Sequence, residues 1–216
     1  LTGKPLPDDA ELAVHQPQKT EQSLAALFSN NRALSTLMFF QAFFMCLLMV
    51  YGLGSWLPKL MTMAGYGFGS SLMFLLFLNI GGIIGAIGGG WLSDRFHPRP
   101  VLMLFFTLAA VSLALLGFKS HVAVLYFLVT VAGATTIGSQ ILLYAYVAQF
   151  YPTAIRSTAL GWSSGVGRIG AILGPVLGGA LLAMQLSHQM NFLAFVVPGA
   201  LAVIAIMLTA GRKEAV

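Results

Sequence analysis

The sequence predicts an all-α integral membrane protein with six transmembrane helices. Of its 216 residues, 58% are hydrophobic and 8% are charged, and the mean hydropathy is +0.87. Few soluble domains have such a composition. Runs of about 20 apolar residues, the length at which a helix crosses a ~30 Å hydrocarbon core, recur along the chain. The connections between these runs are short, so neighbouring helices are expected to be antiparallel.

The elements follow one another from a polar N-terminal segment to the last span. Residues 1–20 contain three prolines and no apolar periodicity, which predicts a flexible aqueous linker. Glu21–Asn31 is predicted to form a short interfacial helix that ends at its two asparagines. The six predicted spans are 33–57, 70–92, 99–118, 121–148, 158–186 and 190–210. The predicted domains are a linker region at 1–32, a helical bundle at 33–211 and a tail at 212–216.

The basic residues predict the orientation of these spans. With the N-terminus in the cytoplasm, eight lysines and arginines lie in cytoplasmic segments and two lie outside. The cytoplasmic group is Lys4, Lys19, Arg32, Arg95, Arg99, Arg156, Arg212 and Lys213, and the outer group is Lys59 and Lys119. Because these residues are scattered singly, the net charge of +5 does not indicate a nucleic-acid partner. The linker and the C-terminus are expected to be cytoplasmic, and a longer N-terminal part is expected to precede Leu1.

Arg168 is the charged residue deepest inside a predicted span. It follows Ser157 by eleven residues, roughly 16 Å of helix, which is near the middle of a ~30 Å hydrocarbon core. A charge at that depth is costly unless it faces a polar cavity or a partner, so a functional role is the default interpretation. The alternative is a structural arginine that binds carbonyls where Gly174-Pro175 disturbs the helix.

Helical spacing assigns the faces of this span. Arg168 belongs to a small, polar stripe and is expected to point into the protein. The stripe consists of Ser157, Gly161, Ser164, Arg168, Ala171 and Pro175, and the opposite, aliphatic face consists of Val166, Ile169, Leu173 and Val176. Glycine ridges at four-residue spacing predict close helix contacts, either sliding or static. These ridges are Gly170, Gly174 and Gly178 in this span and Gly81, Gly85 and Gly89 in the second.

Five further polar side chains inside the spans are candidate substrate-binding residues together with Arg168. They are Gln41 and Tyr51 in the first span, Asn79 in the second, and Gln140 and Tyr144 in the fourth. The last two share a helix face at a spacing of four. The alternative for each is a hydrogen bond between helices, and for Tyr51 a place in the aromatic belt at the membrane surface.

The sequence contains no pattern of residues that indicates an enzyme active site. The single cysteine and the four dispersed histidines have no metal-ligand spacing, and no span contains a carboxylate, so neither a metal site nor a catalytic acid or base is expected. A literal G-x-G-x-x-G match at Gly165–Gly170 lies inside a predicted membrane helix and lacks the preceding strand of a dinucleotide site. No cofactor is therefore expected.

A charged turn follows the second span, at Gly90–Arg99 (GWLSDRFHPR). Asp94 is expected either to cap a helix end or to pair with one of three arginines. These are Arg95, Arg99 and Arg156, and such pairs would hold a cytoplasmic gate shut in one conformation and release it in another. The alternative is that these are ordinary positive-inside residues beside a turn aspartate.

This turn resembles a loop motif of the major facilitator superfamily. GWLSDRFHPRP is similar to the motif between the eighth and ninth helices, with departures at His97, where glycine is usual, and at Pro100, where a second base is usual. The stretches ALFSNNRALSTLMFF, VYGLGSWLPKLM and YPTAIRSTALGW…GVGRIGAILGP resemble the aromatic acid:proton symporter branch. The YPTAIRSTALGW piece is shared with organic-ion and sugar branches.

The resemblance implies that the chain is the C-terminal six-helix half of a twelve-helix transporter in the cell inner (plasma) membrane. It implies proton-coupled uptake of aromatic carboxylates such as benzoate or hydroxybenzoate by alternating access, with the proton gradient as energy source. Expected partners are the aromatic acid, the proton, membrane lipid and the N-terminal six-helix half. Asp94, Arg95, Arg156 and Arg168 are implied to be functional. The alternatives are a carrier of another small metabolite, such as a sugar or organic cation, and a non-transporting receptor or assembly subunit.

Overall fold

Seven α-helices make up the part of the protein that the computed structural model describes, residues 24–209 without the side chain of Phe68. The helices are α1 (Leu24–Phe28), α2 (Ala33–Met63), α3 (Phe68–Phe96), α4 (Pro98–Leu116), α5 (Val122–Phe150), α6 (Thr153–Ala183) and α7 (His188–Leu208). Those from α2 to α7 are long and apolar enough to cross a membrane. Within residues 24–209 there is no strand, and the predicted fold class is confirmed.

Helix boundaries differ from the prediction at two prolines and at the end of the second span, where α3 continues past the predicted 92 to Phe96 and makes Asp94 and Arg95 helical. α2 was predicted to end at 57 but continues through Pro58 to Met63, because a membrane helix tolerates the lost hydrogen bond and Leu60 and Met61 are buried against neighbours. α6 begins five residues before the predicted 158, directly after Pro152, and its first turn buries Ile155. The prediction treated both segments as loops because proline and polar residues dominate them.

The described part of the N-terminal helix ends at Phe28, just before the two asparagines. α1 covers Leu24–Phe28, and Asn30 and Asn31 follow it with φ angles of 55° and 61°, a left-handed conformation that asparagine tolerates well. The predicted end of this helix at the two asparagines is therefore confirmed. The predicted linker at 1–20, the start of this helix at 21–23 and the tail at 212–216 lie outside the described residues.

Two helix pairs carry the closest packing in the bundle. α2 packs most extensively against α6, and α3 against α5, while α4 and α7 pack against each other and against α5 and α2. If α2 is exchanged with α5, α3 with α6 and α4 with α7, the same pairs of helices are in contact. Because successive spans cross in alternating directions, the two three-helix units are inverted relative to each other, as in transporter repeats.

Glycines bring each pair into backbone contact. A Cβ on any of four glycines of α6 would meet α2, and a Cβ on either of two glycines of α3 would meet a carbonyl of α5. The four are Gly167, Gly170, Gly174 and Gly178, here called the α2–α6 glycine seam, and the two are Gly81 and Gly85 of the α3–α5 seam. The close contacts predicted from the glycine ridges are confirmed.

The two seams also share their register. Gly170 and Gly174 approach the carbonyls of Phe44 and Leu48 on α2, one turn apart, and α3 repeats this pattern on α5. The α3 contacts are Gly81 on the Thr130 carbonyl and Gly85 on the Ala134 carbonyl. In this alignment Arg168, two residues before Gly170, is equivalent to Asn79, two residues before Gly81.

A buried hydrogen-bond relay anchors α1 to the bundle. The Thr36 hydroxyl donates to the Leu27 carbonyl at 2.7 Å, and the Tyr151 phenol lies 2.7 Å from the same hydroxyl. Since the single Thr36 proton is used, Tyr151 donates. Burial raises the pKa of the Tyr151 phenol, against the opposing effects of Thr36 and Arg32, so the donor stays protonated at neutral pH. The relay joins α1, α2 and the α5–α6 connection.

Replacement of Gly85 by alanine is expected to destabilise the bundle, because its Cβ would meet the Ala134 carbonyl, which is backbone and must shift. We expect the free energy of unfolding to fall by about 2 kcal/mol. The matched control is Gly88→Ala, since no atom lies within 4 Å of a Cβ there. Thermal unfolding in detergent measures both variants, and equal losses would contradict the seam contact.

Candidate functional site

Arg168 is the middle residue of α6 and forms the polar contact around which the candidate site is built. Fifteen helical residues precede it and fifteen follow it. Its guanidinium Nη1 donates to the Tyr51 hydroxyl of α2 at 3.1 Å. Both side chains are exposed on the six-helix bundle. The structure therefore joins two of the six predicted substrate-binding residues.

The predicted faces of α6 are partly wrong. Arg168 was expected to point into the protein, but the buried face of α6 is the line of glycines with Ile155, Ala159 and Ser163. Helical rotation from Gly167 carries the arginine out of that contact, because large side chains cannot enter a backbone seam. On the predicted aliphatic face, Ile169, Leu173 and Val176 are exposed as expected, whereas Val166 is half-buried.

The Pro175 carbonyl of α6 binds Trp56 and not Arg168, for which bonds to carbonyls near this proline were the alternative interpretation. Trp56 of α2 donates its indole Nε1–H to the Pro175 carbonyl at 2.7 Å. Sequence reasoning missed this bond, because Trp56 also fits an aromatic belt. The only signal was the four-residue spacing of Gly174 and Gly178, which leaves room for a large ring.

Gln140 and Tyr144 are half-buried on α5. Tyr144 packs edge-on against Phe43 of α2, with ring centroids 5.0 Å apart. Phe43 in turn faces Gly167, the neighbour of Arg168, so it separates the predicted pair from the arginine. Neither residue hydrogen-bonds to Arg168, whose described partner is Tyr51, and their substrate-binding role stays a prediction.

The remaining two candidates bind backbone. Gln41 Nε2 donates to the Leu201 carbonyl of α7 at 3.5 Å, the kind of bond between helices that was its alternative interpretation. Asn79 is exposed on α3 and donates to the Leu75 carbonyl of its own helix at 2.7 Å. Asn79 keeps a free amide oxygen, and its role also stays a prediction.

In the charged segment around Asp94, Arg95 and Arg99 have partners other than this carboxylate. Arg99 donates to the carbonyls of Ile206 and Met207 at 3.4 Å and 2.8 Å, where a cation complements the C-terminal end of α7. The Arg95 guanidinium carbon lies 5.8 Å from the Trp91 ring centroid, within range of a cation–π contact.

Asp94 itself is exposed, and Arg156 is half-buried with its Nε atom lacking a partner. Asp94 forms no ion pair with Arg95, Arg99 or Arg156, all of which lie within the described residues. The predicted pairing of these charges across a gate is therefore not present in this conformation. A gating role that depends on another conformation stays a prediction.

His97 lies between α3 and α4 with φ 68° and ψ 149°. This backbone conformation is one that essentially only glycine adopts without strain. The sharp turn allows Arg99, two residues later, to reach the end of α7.

The family follows from a comparison of the sequence with family models. The Major Facilitator Superfamily model matches residues 80–215, more than half of the chain. The chain belongs to the Major Facilitator Superfamily. Its fold agrees with this assignment. The six-helix bundle is similar to a crystal structure of the Escherichia coli fucose:proton symporter FucP, with a TM-score of 0.73, 18% identity and coverage of 88% of this chain and 47% of that one.

Several relatives in the superfamily carry substrate names. The chain is 50% identical over 187 residues to the benzoate transport protein of Acinetobacter baylyi, covering 87% of this chain and 40% of the relative. It is 48% identical to the gentisate transporter of Corynebacterium glutamicum, covering 71% and 35%. It is 36% identical to the 4-hydroxybenzoate transporter PcaK of Pseudomonas putida, covering 85% and 41%. The chain thus spans less than half the length of these relatives.

Glycine at position 97 is expected to stabilise this superfamily member. His97→Gly removes a backbone strain of about 1–3 kcal/mol and costs somewhat less in unfolded-state entropy, so the free energy of unfolding should rise by about 1 kcal/mol. The thermal midpoint in detergent measures the change. His97→Ala keeps the Cβ and the strain, and a similar rise in that control would attribute the effect to the imidazole.

Proposed function

We propose that this chain is the C-terminal half of a transporter that takes up aromatic carboxylates with protons across the plasma membrane. Transport would proceed by alternating access, with the linker and the tail in the cytoplasm and the N-terminal half as partner. The names of the benzoate, gentisate and 4-hydroxybenzoate relatives support the substrate class. The observation that carries the site is the exposed Arg168 at the middle of α6, bonded to Tyr51.

Arg168 binds the substrate carboxylate in this proposal. A guanidinium has five N–H donors in a planar fork that matches the two oxygens of a carboxylate. The bond to Tyr51 uses one donor on Nη1, so four remain. Tyr51 also restrains a long side chain that would otherwise lose rotamer freedom on binding, which favours affinity.

The proton is carried elsewhere in the complete protein. Asp94 is the only carboxylate among residues 24–209, and it lies exposed at the cytoplasmic end of α3. No acid lies near Arg168 in the described part of the chain. The titrating group in this proposal is either an acid of the N-terminal half or a histidine at a membrane edge, and the proton gradient supplies the energy without a cofactor.

Substitution of Arg168 tests the carboxylate contact in the full-length protein. Arg168→Gln should weaken benzoate binding roughly 100-fold, or about 3 kcal/mol, because two charge-assisted hydrogen bonds are lost. Arg168→Lys keeps the charge and should lose less. Competition by benzoate, gentisate, 4-hydroxybenzoate, a sugar and an organic cation identifies the class. Wild-type benzoate affinity in the glutamine variant would exclude the anion-binding role.

Proton entry into vesicles separates a symporter from a receptor. Addition of benzoate should acidify the interior of vesicles that contain the full-length protein, and Asp94→Asn should abolish this signal if the cytoplasmic turn controls the conformational change. Benzoate uptake without acidification would contradict proton coupling. Benzoate binding without uptake would favour the non-transporting receptor instead.

A further inference from the structure

The α2–α6 glycine seam leaves the register of the two helices weakly determined. Along the seam, Gly170 and Gly174 meet the backbone of α2, Gly167 meets the buried Phe43 and Leu47, and Gly178 meets the Trp56 ring. Glycine has no side chain that interlocks with a partner, so such a surface permits sliding. Side-chain bonds across the pair must then set how far α6 is displaced along α2.

Two described side-chain bonds cross this helix pair within the membrane span. One is Arg168 to Tyr51, the pair of the proposed site, and the other is Trp56 to the Pro175 carbonyl. Trp56 is half-buried, and a Cβ on Gly178 would collide with its ring, so the indole also fills the space that this glycine leaves. Ring and N–H together specify one register.

The equivalent position in the other helix pair lacks this device. Gly89 of α3 corresponds to Gly178, and a Cβ there would meet Leu142 of α5 as well as Phe105. Leucine has no donor and forms no hydrogen bond. The helix pair that contains Arg168 therefore has a hydrogen bond and a ring contact that fix its register, here called the register lock. The equivalent helix pair has only an apolar contact at this position.

We infer that Trp56 is a positioning residue for the substrate site: its bond to the Pro175 carbonyl and its contact with Gly178 hold α6 where Arg168 meets Tyr51. This inference rests on the proposed function. Its substrate-independent part is that Trp56 fixes α6 against α2. The aromatic-belt interpretation of Trp56 predicts neither effect.

The substrate arm uses a double-mutant cycle in the full-length protein. Trp56→Phe keeps an aromatic ring and removes the donor, and should raise the benzoate Kd about fivefold. In a Tyr51→Phe background the same substitution should change the Kd much less, because the contact that it positions is already lost. The matched control is Trp162→Phe, since Trp162 of α6 is exposed and forms no hydrogen bond. It should leave the Kd unchanged.

A second variant tests the ring contact. Gly178→Ala displaces the indole and should also raise the benzoate Kd, whereas Gly88→Ala of α3, with no atom within 4 Å of a Cβ, should not. An unchanged Kd in Trp56→Phe would overturn the inference. The inference would also be overturned if Trp56→Phe raised the benzoate Kd by the same factor in the wild-type and Tyr51→Phe backgrounds. That result is expected of a merely structural tryptophan.

Hydrogen–deuterium exchange supplies the arm that needs no substrate. Exchange across residues 171–179 should accelerate in Trp56→Phe and not in Trp162→Phe, and unchanged exchange would overturn the register lock. Wild-type benzoate affinity in Arg168→Gln would instead overturn the proposed function. The two failures are thus distinguishable.

Discussion

Contact between glycine and backbone in the two helix pairs is the constraint on which this structure depends. In a bilayer, lipid tails are as apolar as the side chains, so burial drives helices together only weakly. Close approach of two backbones provides dispersion and carbonyl contacts over a long interface instead. The α2–α6 and α3–α5 seams supply these contacts, and α4 and α7 complete the bundle. α3 and α6 remain the least buried spans as a result.

A glycine seam leaves few places for polar chemistry, and the polar groups lie at its edges. Arg168 follows Gly167 in sequence, and the helical rotation of one residue places it outside the glycine seam. There its guanidinium donates to the Tyr51 hydroxyl. Similar logic applies to Trp56, which occupies the space above Gly178. The half-buried Trp56 indole has a carbonyl partner, as an apolar environment demands, whereas the buried Ser163 hydroxyl of α6 has none.

The inverted repeat separates the scaffold from the chemistry. The two three-helix units share their helix contacts and the spacing of the seam glycines, yet equivalent positions differ in charge and polarity. Arg168 corresponds to Asn79, and Trp56 corresponds to Leu142. Packing is thus symmetric, while the Arg168–Tyr51 and Trp56–Pro175 hydrogen bonds occur in only one of the two equivalent helix pairs.

The sequence by itself determined the six spans, the glycine contacts and the depth of Arg168, because hydropathy, four-residue spacing and the rise of a helix are local properties. It also indicated the family, through the turn around Asp94 and the stretch around Arg168. It did not reveal which polar residues meet. Tyr51 was one candidate among five, Gln41 binds α7, and Arg99 binds the end of the same helix instead of Asp94. Only the tertiary structure decided these partners, because they depend on the rotation and register of helices more than 100 residues apart in the chain.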